Sequence, residues 1–387
     1  MTKILLVDDD PIVVEIYRKK LQQHDYEVAV AEDGLAAIKT LQTSQPNLVV
    51  LDIMMPKLSG VEVLEFIRSK SELKNTRVVV LSNYYISGED RQAATAKADL
   101  HFQKSACTPT RLLAAVSTLM AGSPPALASA DTPPAAPGIE NQLDAKVRRD
   151  FLRDAPMTMA TLRQLNGAFI RTESPPARDL MLLDFYRKVH YVTAIAGMAG
   201  SPEIAHLASA FEALLLELHE KPDAIGPSTL QTIAFTLDFL GLLFANAGQA
   251  ASAPKKTPRV LVVDDDPIAV RAAAMALQRA HLDVTGSQDP AAALQLLAGE
   301  PFDLILLDIL MPGMDGLELC KRIRALSAYR RTPIIFVTAL TDFQKRLQSV
   351  RSGGNDLIAK PIFPIELAVK AVTHLLRAQL PENLALA

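Results

Sequence analysis

The feature that most constrains this chain is an acidic pattern written twice at one fixed separation. Ile4-Leu5-Leu6-Val7-Asp8-Asp9-Asp10-Pro11 is matched by Val260-Leu261-Val262-Val263-Asp264-Asp265-Asp266-Pro267. Leu51-Asp52-Ile53-Met54-Met55-Pro56 is matched by Leu307-Asp308-Ile309-Leu310-Met311-Pro312, and Gly60, Ser82 and Lys104 by Gly316, Thr338 and Lys360. Every pair is 256 positions apart, so no insertion separates the polar landmarks within either copy. A single recurrence at that distance is not a solenoid period. It requires two homologous domains with other material between them.

Composition marks where that material begins and ends. Residues 121–138 are rich in Ala, Pro and Ser, with prolines at 124, 125, 133, 134 and 137, and residues 247–258 have the same character. Such stretches cannot bury a core and read as extended linkers. The expected organisation is therefore a first domain over 1–120, a linker over 121–138, a helical domain over 139–246, a linker over 247–258 and the second copy over 259–387. Each domain is then of ordinary size.

Within each copy, short apolar runs alternate with segments of helical period. Leu48-Val49-Val50-Leu51 and Val78-Val79-Val80-Leu81 are continuous rather than alternating, as in strands covered on both faces. Residues 12–21, 35–41 and 61–67 are amphipathic, and Pro11 and Pro267 suit the first turn of a helix. Five such units predict a doubly wound, flavodoxin-like α/β fold with a five-stranded parallel sheet in each copy, and ligands beyond the carboxyl ends of the strands.

The polar landmarks all fall at those strand ends. Asp8, Asp9 and Asp52 in the first copy, and Asp264, Asp265 and Asp308 in the second, would converge on one crevice each. Three carboxylates together repel one another and are costly to desolvate. A hard divalent cation removes that cost, and Mg²⁺ suits carboxylates, a backbone carbonyl and waters. Such a site handles a phosphoryl group: one carboxylate attacks phosphorus while cation, lysine and hydroxyl neutralise the equatorial oxygens. An Asp-Asp-Asp run alone is usually a solvated turn, and a strand-end aspartate often only caps a helix. Five features at matched spacing, present twice, favour the chemical reading.

The two copies resemble the receiver domain of bacterial response regulators. That resemblance implies Asp52 and Asp308 as phosphoacceptors. It implies Asp9 and Asp265 as direct metal ligands, Asp8 and Asp264 as ligands through water, and the backbone carbonyls of Met54 and Leu310 as completing the site. Ser82 and Thr338 would hydrogen-bond the phosphoryl group, and Lys104 and Lys360 would form a salt bridge to it. The copies differ in detail. Lys360 precedes Pro361, as the family expects for a cis peptide, whereas Lys104 precedes Ser105. The aromatic switch position of the family holds His101 and Leu357. Asn83-Tyr84-Tyr85 follows Ser82 where Ala339 follows Thr338, and that bulk is expected to shield the acyl phosphate from water.

Residues 139–246 carry no strand signal and are expected to form an all-α helical bundle. Leu182, Phe185, Val189, Val192 and Ala196 lie at helical spacing and should face its core. His190 lies about 100° around the helix from Val189, on a flank with Tyr186, Arg187, Thr193, Ala194 and Gly197 that is expected to face solvent. The small residues there would let another protein approach the imidazole. With Phe151–Pro156 upstream, and Gly200 and Glu212 at matching spacing, the segment resembles a histidine phosphotransfer domain. It departs from that family where Lys and Gly should follow the histidine, since Thr193 and Ala194 stand there. Arg187 is the local cation that could substitute. A bundle that passes phosphate through His190 and a degenerate bundle that only docks partners both remain open. His206 and His219 read as surface residues.

The expected function is phosphorelay signalling. Phosphoryl groups come from a sensor histidine kinase or phosphotransfer protein, and contacts with a downstream protein change in response. The rivals are a docking scaffold and a Mg²⁺-dependent aspartyl phosphohydrolase. Met54 and Leu310 argue against the hydrolase, because they stand where a second aspartate is needed. A signalling acceptor rather than a turnover enzyme is expected. A net charge of −3 without a basic stripe argues against nucleic acid. The N-terminus lacks a signal-peptide core and no run of 18 apolar residues appears, so a cytoplasmic protein without membrane insertion is expected, with Cys107 and Cys320 as isolated thiols.

Overall fold

The computed structural model describes residues 2–55, 57–82, 96–121, 142–247, 257–338 and 352–380. Almost all of both linkers, together with Asn83-Tyr84-Tyr85 and Ala339, lies outside the described residues. The chain divides into two compact units: Met1–Thr161 with Arg187–Ser209, and Leu162–Tyr186 with Ala210–Ala387.

The first unit holds the first repeat. Its strands are β1 (Lys3–Val7), β2 (Glu27–Ala31), β3 (Leu48–Asp52), β4 (Arg77–Ser82) and β5 (Leu100–Gln103), all parallel in the order β2-β1-β3-β4-β5. The continuous apolar run predicted for β3 is buried at every residue. Right-handed crossovers put helices on both faces. Pro11–Gln22 packs with Pro109–Met120 on one side, and Gly34–Ser44 with Gly60–Ser69 on the other.

The third aspartate of the acidic run has the bland role that such residues usually have. Asp10 caps the helix Pro11–Gln22, its carboxylate accepting from the backbone N–H groups of Ile12 at 2.8 Å and Val13 at 3.1 Å. Asp266 does the same for Ile268 in the second repeat, at 2.8 Å. That leaves Asp8, Asp9, Asp264 and Asp265 for other work.

The second unit repeats the plan with β6 (Arg259–Val263), β7 (Asp283–Ser287), β8 (Leu304–Asp308), β9 (Ile334–Thr338) and β10 (Asp356–Ala359), in the order β7-β6-β8-β9-β10. Between the two repeats the described chain is helical: Gln142–Arg171, Pro175–Met198, Pro202–Glu220 and Pro227–Asn246. All five residues of the predicted core stripe, Leu182 to Ala196, are buried. Pro227–Asn246 is long and apolar enough to cross a membrane by length and composition, and 50% of its most apolar window is buried inside the protein. It lies against the last helix of the second repeat, Pro364–Ala378. Ser228 and Thr232 donate hydrogen bonds to the buried Glu366 carboxylate at 2.6 and 2.8 Å, and the Phe235 ring lies 5.3 Å from that of His374. Two of the histidines read as surface residues differ from that reading. His206 is half-buried, and His219 pairs with Asp179 at 2.5 Å. Both cysteines are unpaired and buried, as expected.

The helix Pro364–Ala378 is buried along nearly its whole length, so its polar residues need partners. Lys370 Nζ and His374 Nε2 both reach Asp356 Oδ2, at 2.8 and 3.0 Å. Burial alone would raise the Asp356 carboxyl, but the His374 hydrogen bond and the Lys370 charge outweigh it and hold its pKa at about 2. An acid depressed in the folded state stabilises above its unfolded pKa, and that contribution disappears as pH falls through the folded value. Asp356→Asn should therefore cost roughly 3 kcal/mol at neutral pH, because Lys370 is left buried without its counter-charge. The difference from wild type should shrink as pH drops from about 4 to 2. Urea titrations across that range check it, and coincident midpoints at pH 7 would rule it out.

Candidate functional site

In the first repeat β1 stops at Val7, and Asp8 and Asp9 follow at its carboxyl end. Asp8 Oδ1 accepts from the Asp10 N–H at 3.1 Å, which turns the chain toward the helix. Asp52 is the last residue of β3, and its Oδ1 accepts from the Met54 N–H at 3.2 Å. The helix Gly60–Ser69 begins hard against this strand end. A Cβ on Gly60 would stand 2.0 Å from the Asp52 carbonyl oxygen, and one on Gly316 2.0 Å from that of Asp308, so only glycine allows the approach. Ser82 closes β4, with its hydroxyl 2.6 Å from His101 Nε2 on β5. Lys104 follows β5, and its Nζ lies 2.6 Å from Asp52 Oδ2 and 3.0 Å from Asp8 Oδ2.

The second repeat has the same geometry. Lys360 Nζ stands 2.7 Å from Asp264 Oδ2 and 3.3 Å from Asp308 Oδ1. Asp264 Oδ1 accepts from the Asp266 N–H at 3.0 Å. Thr338 ends β9 fully buried, and its carbonyl accepts from the Lys360 N–H at 2.7 Å. The Lys360–Pro361 peptide is cis. Leu357, at the second switch position, packs against the apolar core.

Each site gathers more negative than positive charge. Burial lifts the Asp52 carboxyl to about 7, against the pull of Lys104, with Asp8 adding to the rise. Burial also raises Asp9, with His190 and Lys104 opposing, and raises Asp308 with Lys360 opposing. Although burial works against the charged form of Lys104, Asp52 and Asp8 hold its pKa above the ordinary value. Asp9 Oδ1 is buried and makes no hydrogen bond, and Asp8 Oδ2 has the Lys104 ammonium at 3.0 Å. An orphaned carboxylate oxygen beside two further carboxylates fits a hard divalent cation. The donor oxygens of Asp264, Asp265 and Asp308 also lie within 4.8 Å of one another. Met54 and Leu310 follow Asp52 and Asp308 by two residues, as the expected carbonyl ligands would, and the Leu310 side chain is exposed.

The structure corrects the expected setting of His190. The imidazole does not face solvent: the residue is only 5% exposed, and Thr193 is completely buried with its hydroxyl donated to the Val189 carbonyl at 3.1 Å. His190 instead points into the first site. Its Nε2 lies 3.4 Å from Lys104 Nζ and 3.8 Å from Asp9 Oδ1. A lysine ammonium can only donate, so Nε2 faces it as an acceptor. One ring nitrogen and one oxygen from each of Asp8, Asp9 and Asp52 all lie within 4.8 Å of one another. The close approach predicted at the small residues does occur, but the partner is this chain's own first repeat. A Cβ on Gly197 would stand 2.1 Å from the Lys104 carbonyl oxygen and 2.8 Å from Ser105 Cα. Arg187 is exposed, and Lys104 places a cation beside the imidazole. One signal for this was present in the sequence. Residues 192–199 contain no charged residue and are buried on every side, and a helix apolar all round is covered all round.

Comparison with known proteins matches the response regulator receiver domain over residues 4–117 and again over 260–372. Among curated relatives, the response regulator PleD of Caulobacter vibrioides is 37% identical over 109 residues, 28% of this chain and 24% of that protein. The transcriptional regulatory protein ResD of Bacillus subtilis is 40% identical over 122 residues, 31% of this chain and 49% of that protein. This chain thus spans 24% and 49% of the length of those relatives. Among solved structures, the Vibrio cholerae chemotaxis protein CheY4 is 31% identical, with 30% of this chain and 97% of that one covered and a TM-score of 0.30. Because the two receiver matches together take in more than half of its residues, the chain belongs to the response regulator receiver domain family.

Proposed function

We propose that this protein is a phosphorelay component with two phosphoacceptors, Asp52 and Asp308, and a transferring histidine, His190. The observation that carries the third assignment is the imidazole, with Nε2 held 3.4 Å from Lys104 Nζ and one ring nitrogen within 4.8 Å of an Asp52 carboxylate oxygen. A loose, in-line phosphoryl transfer needs donor and acceptor atoms facing each other across one phosphorus, with cations beside the equatorial oxygens.

In the transfer step, an Asp52 oxygen attacks the phosphorus of phosphohistidine. The P–O bond forms as the P–N bond breaks, and Nε2 leaves with the electron pair. The reverse step returns the group to the imidazole. Lys104 and the Ser82 hydroxyl donate to the phosphoryl oxygens, and Lys360 and Thr338 do so in the second receiver. Asp8 and Asp9 with the Met54 carbonyl, and Asp264 and Asp265 with the Leu310 carbonyl, would hold Mg²⁺, which neutralises phosphoryl charge when bound. The family lysine missing at Thr193 is then supplied from across the contact by Lys104. The phosphoryl group originates on a sensor histidine kinase or another phosphotransfer protein, and the output is a change in protein contacts around Ser82 and His101 or around Thr338. The protein is an acceptor that turns over its own acyl phosphate rather than a hydrolase.

Two outcomes test this reading. Mg²⁺ binds only the folded sites, so concentrations about tenfold above Kd should add about 1–2 kcal/mol per receiver. Melting temperatures should rise in millimolar Mg²⁺, and Asp9→Asn should remove the first receiver's share; identical melting curves with Mg²⁺ and with EDTA would sink the metal assignment. For His190, the full chain is to be incubated with ³²P-labelled phosphohistidine donor protein. An acid-labile, base-stable fraction should appear beside the base-labile acyl phosphate. His190→Gln should abolish only that fraction, and its persistence in the variant would return the helical region to a docking role.

A further inference from the structure

We infer that the helix segment carrying His190 and Gly197 is a built-in partner of the first receiver, occupying its acceptor face and closing Asp52 to small phosphodonors while Asp308 stays accessible. The inference rests on the two aspartates being acceptors, and it stands whether or not His190 itself carries phosphate.

The two receivers share their polar geometry, so the exposure of matching residues can be set side by side. Lys104 is 2% exposed in the first site, and Lys360 is 26% exposed in the second. Asp9 is half-buried, whereas its counterpart Asp265 is exposed. The imidazole of His190 stands within 4.8 Å of an oxygen on each of the three first-site aspartates. A molecule bringing phosphorus to Asp52 must enter the volume that the ring fills.

Gly197 allows the seating. The helix comes so close that its missing side chain leaves room for the Lys104 carbonyl at 2.1 Å and Ser105 Cα at 2.8 Å from where a Cβ would be. All three of the nearest atoms belong to the first receiver's Lys104–Ser105 backbone, which cannot swing aside as a flexible side chain would. Residue 105 is also where the two receivers part company, Ser in one and Pro361 in the other. Any side chain at 197 should therefore separate helix from receiver, without harming the helix itself, since alanine and leucine favour helix over glycine.

The test uses the full chain and phosphoramidate with Mg²⁺, followed by intact-mass analysis. In an Asp308→Ala background the signal reports Asp52, and in an Asp52→Ala background it reports Asp308. If the helix is seated about nine-tenths of the time, Asp52 should label about tenfold more slowly than Asp308. Adding Gly197→Leu should bring Asp52 to the rate of Asp308, and Gly197→Ala should give an intermediate rate. Hydrogen exchange at residues 104–106 should rise in the same order, which separates undocking from unfolding. Equal rates without any change at Gly197 would overturn the inference. So would a gap that survives Gly197→Leu, because the slowness would then belong to the first receiver's own chemistry. If neither aspartate labels in any variant, the acceptor reading fails, and Asp308 alone reports that result.

Discussion

The structure turns on an imbalance of charge at the ends of parallel strands. In each receiver the chain delivers three carboxylates and one lysine to one crevice, which in the first receiver is closed to most water. In the first receiver the lysine reaches Asp8 and Asp52 at ion-pair distance, but a buried oxygen of Asp9 stays without a hydrogen bond. An arrangement of that kind is stable only with added positive charge, and it favours a reaction that brings negative oxygens in company with a metal. The sheet order, the cap at Asp10 and the glycine at position 60 all hold this imbalance in place.

The receivers were legible in the sequence because their function depends on backbone position. Strand ends in a doubly wound sheet converge whatever the side chains between them, so Asp52, Ser82 and Lys104 could be placed together from spacing alone. The third aspartate, at 10 and again at 266, shows the limit of motif reading. It belongs to the same run as the site residues, yet it serves the helix N-terminus.

The middle region was less legible, for a physical reason. Helical periodicity finds one buried face, and it found the stripe from Leu182 to Ala196. A second buried face on the same helix leaves no polar stripe to measure against, and so the flank of His190 was assigned to solvent. The compensation for Thr193 was also hidden. The cation beside the imidazole is Lys104, 86 positions before His190 and on another element, which no local motif could include.

The contact at Gly197 couples two positions that no sequence motif joins. The backbone at Lys104–Ser105 fits beneath the helix only because residue 197 has no side chain. In this chain a non-proline after the first receiver's lysine and a glycine seven residues beyond the histidine occur together where receiver and histidine stand face to face. In the second receiver, where Pro361 follows the lysine, the Lys360 side chain is 26% exposed.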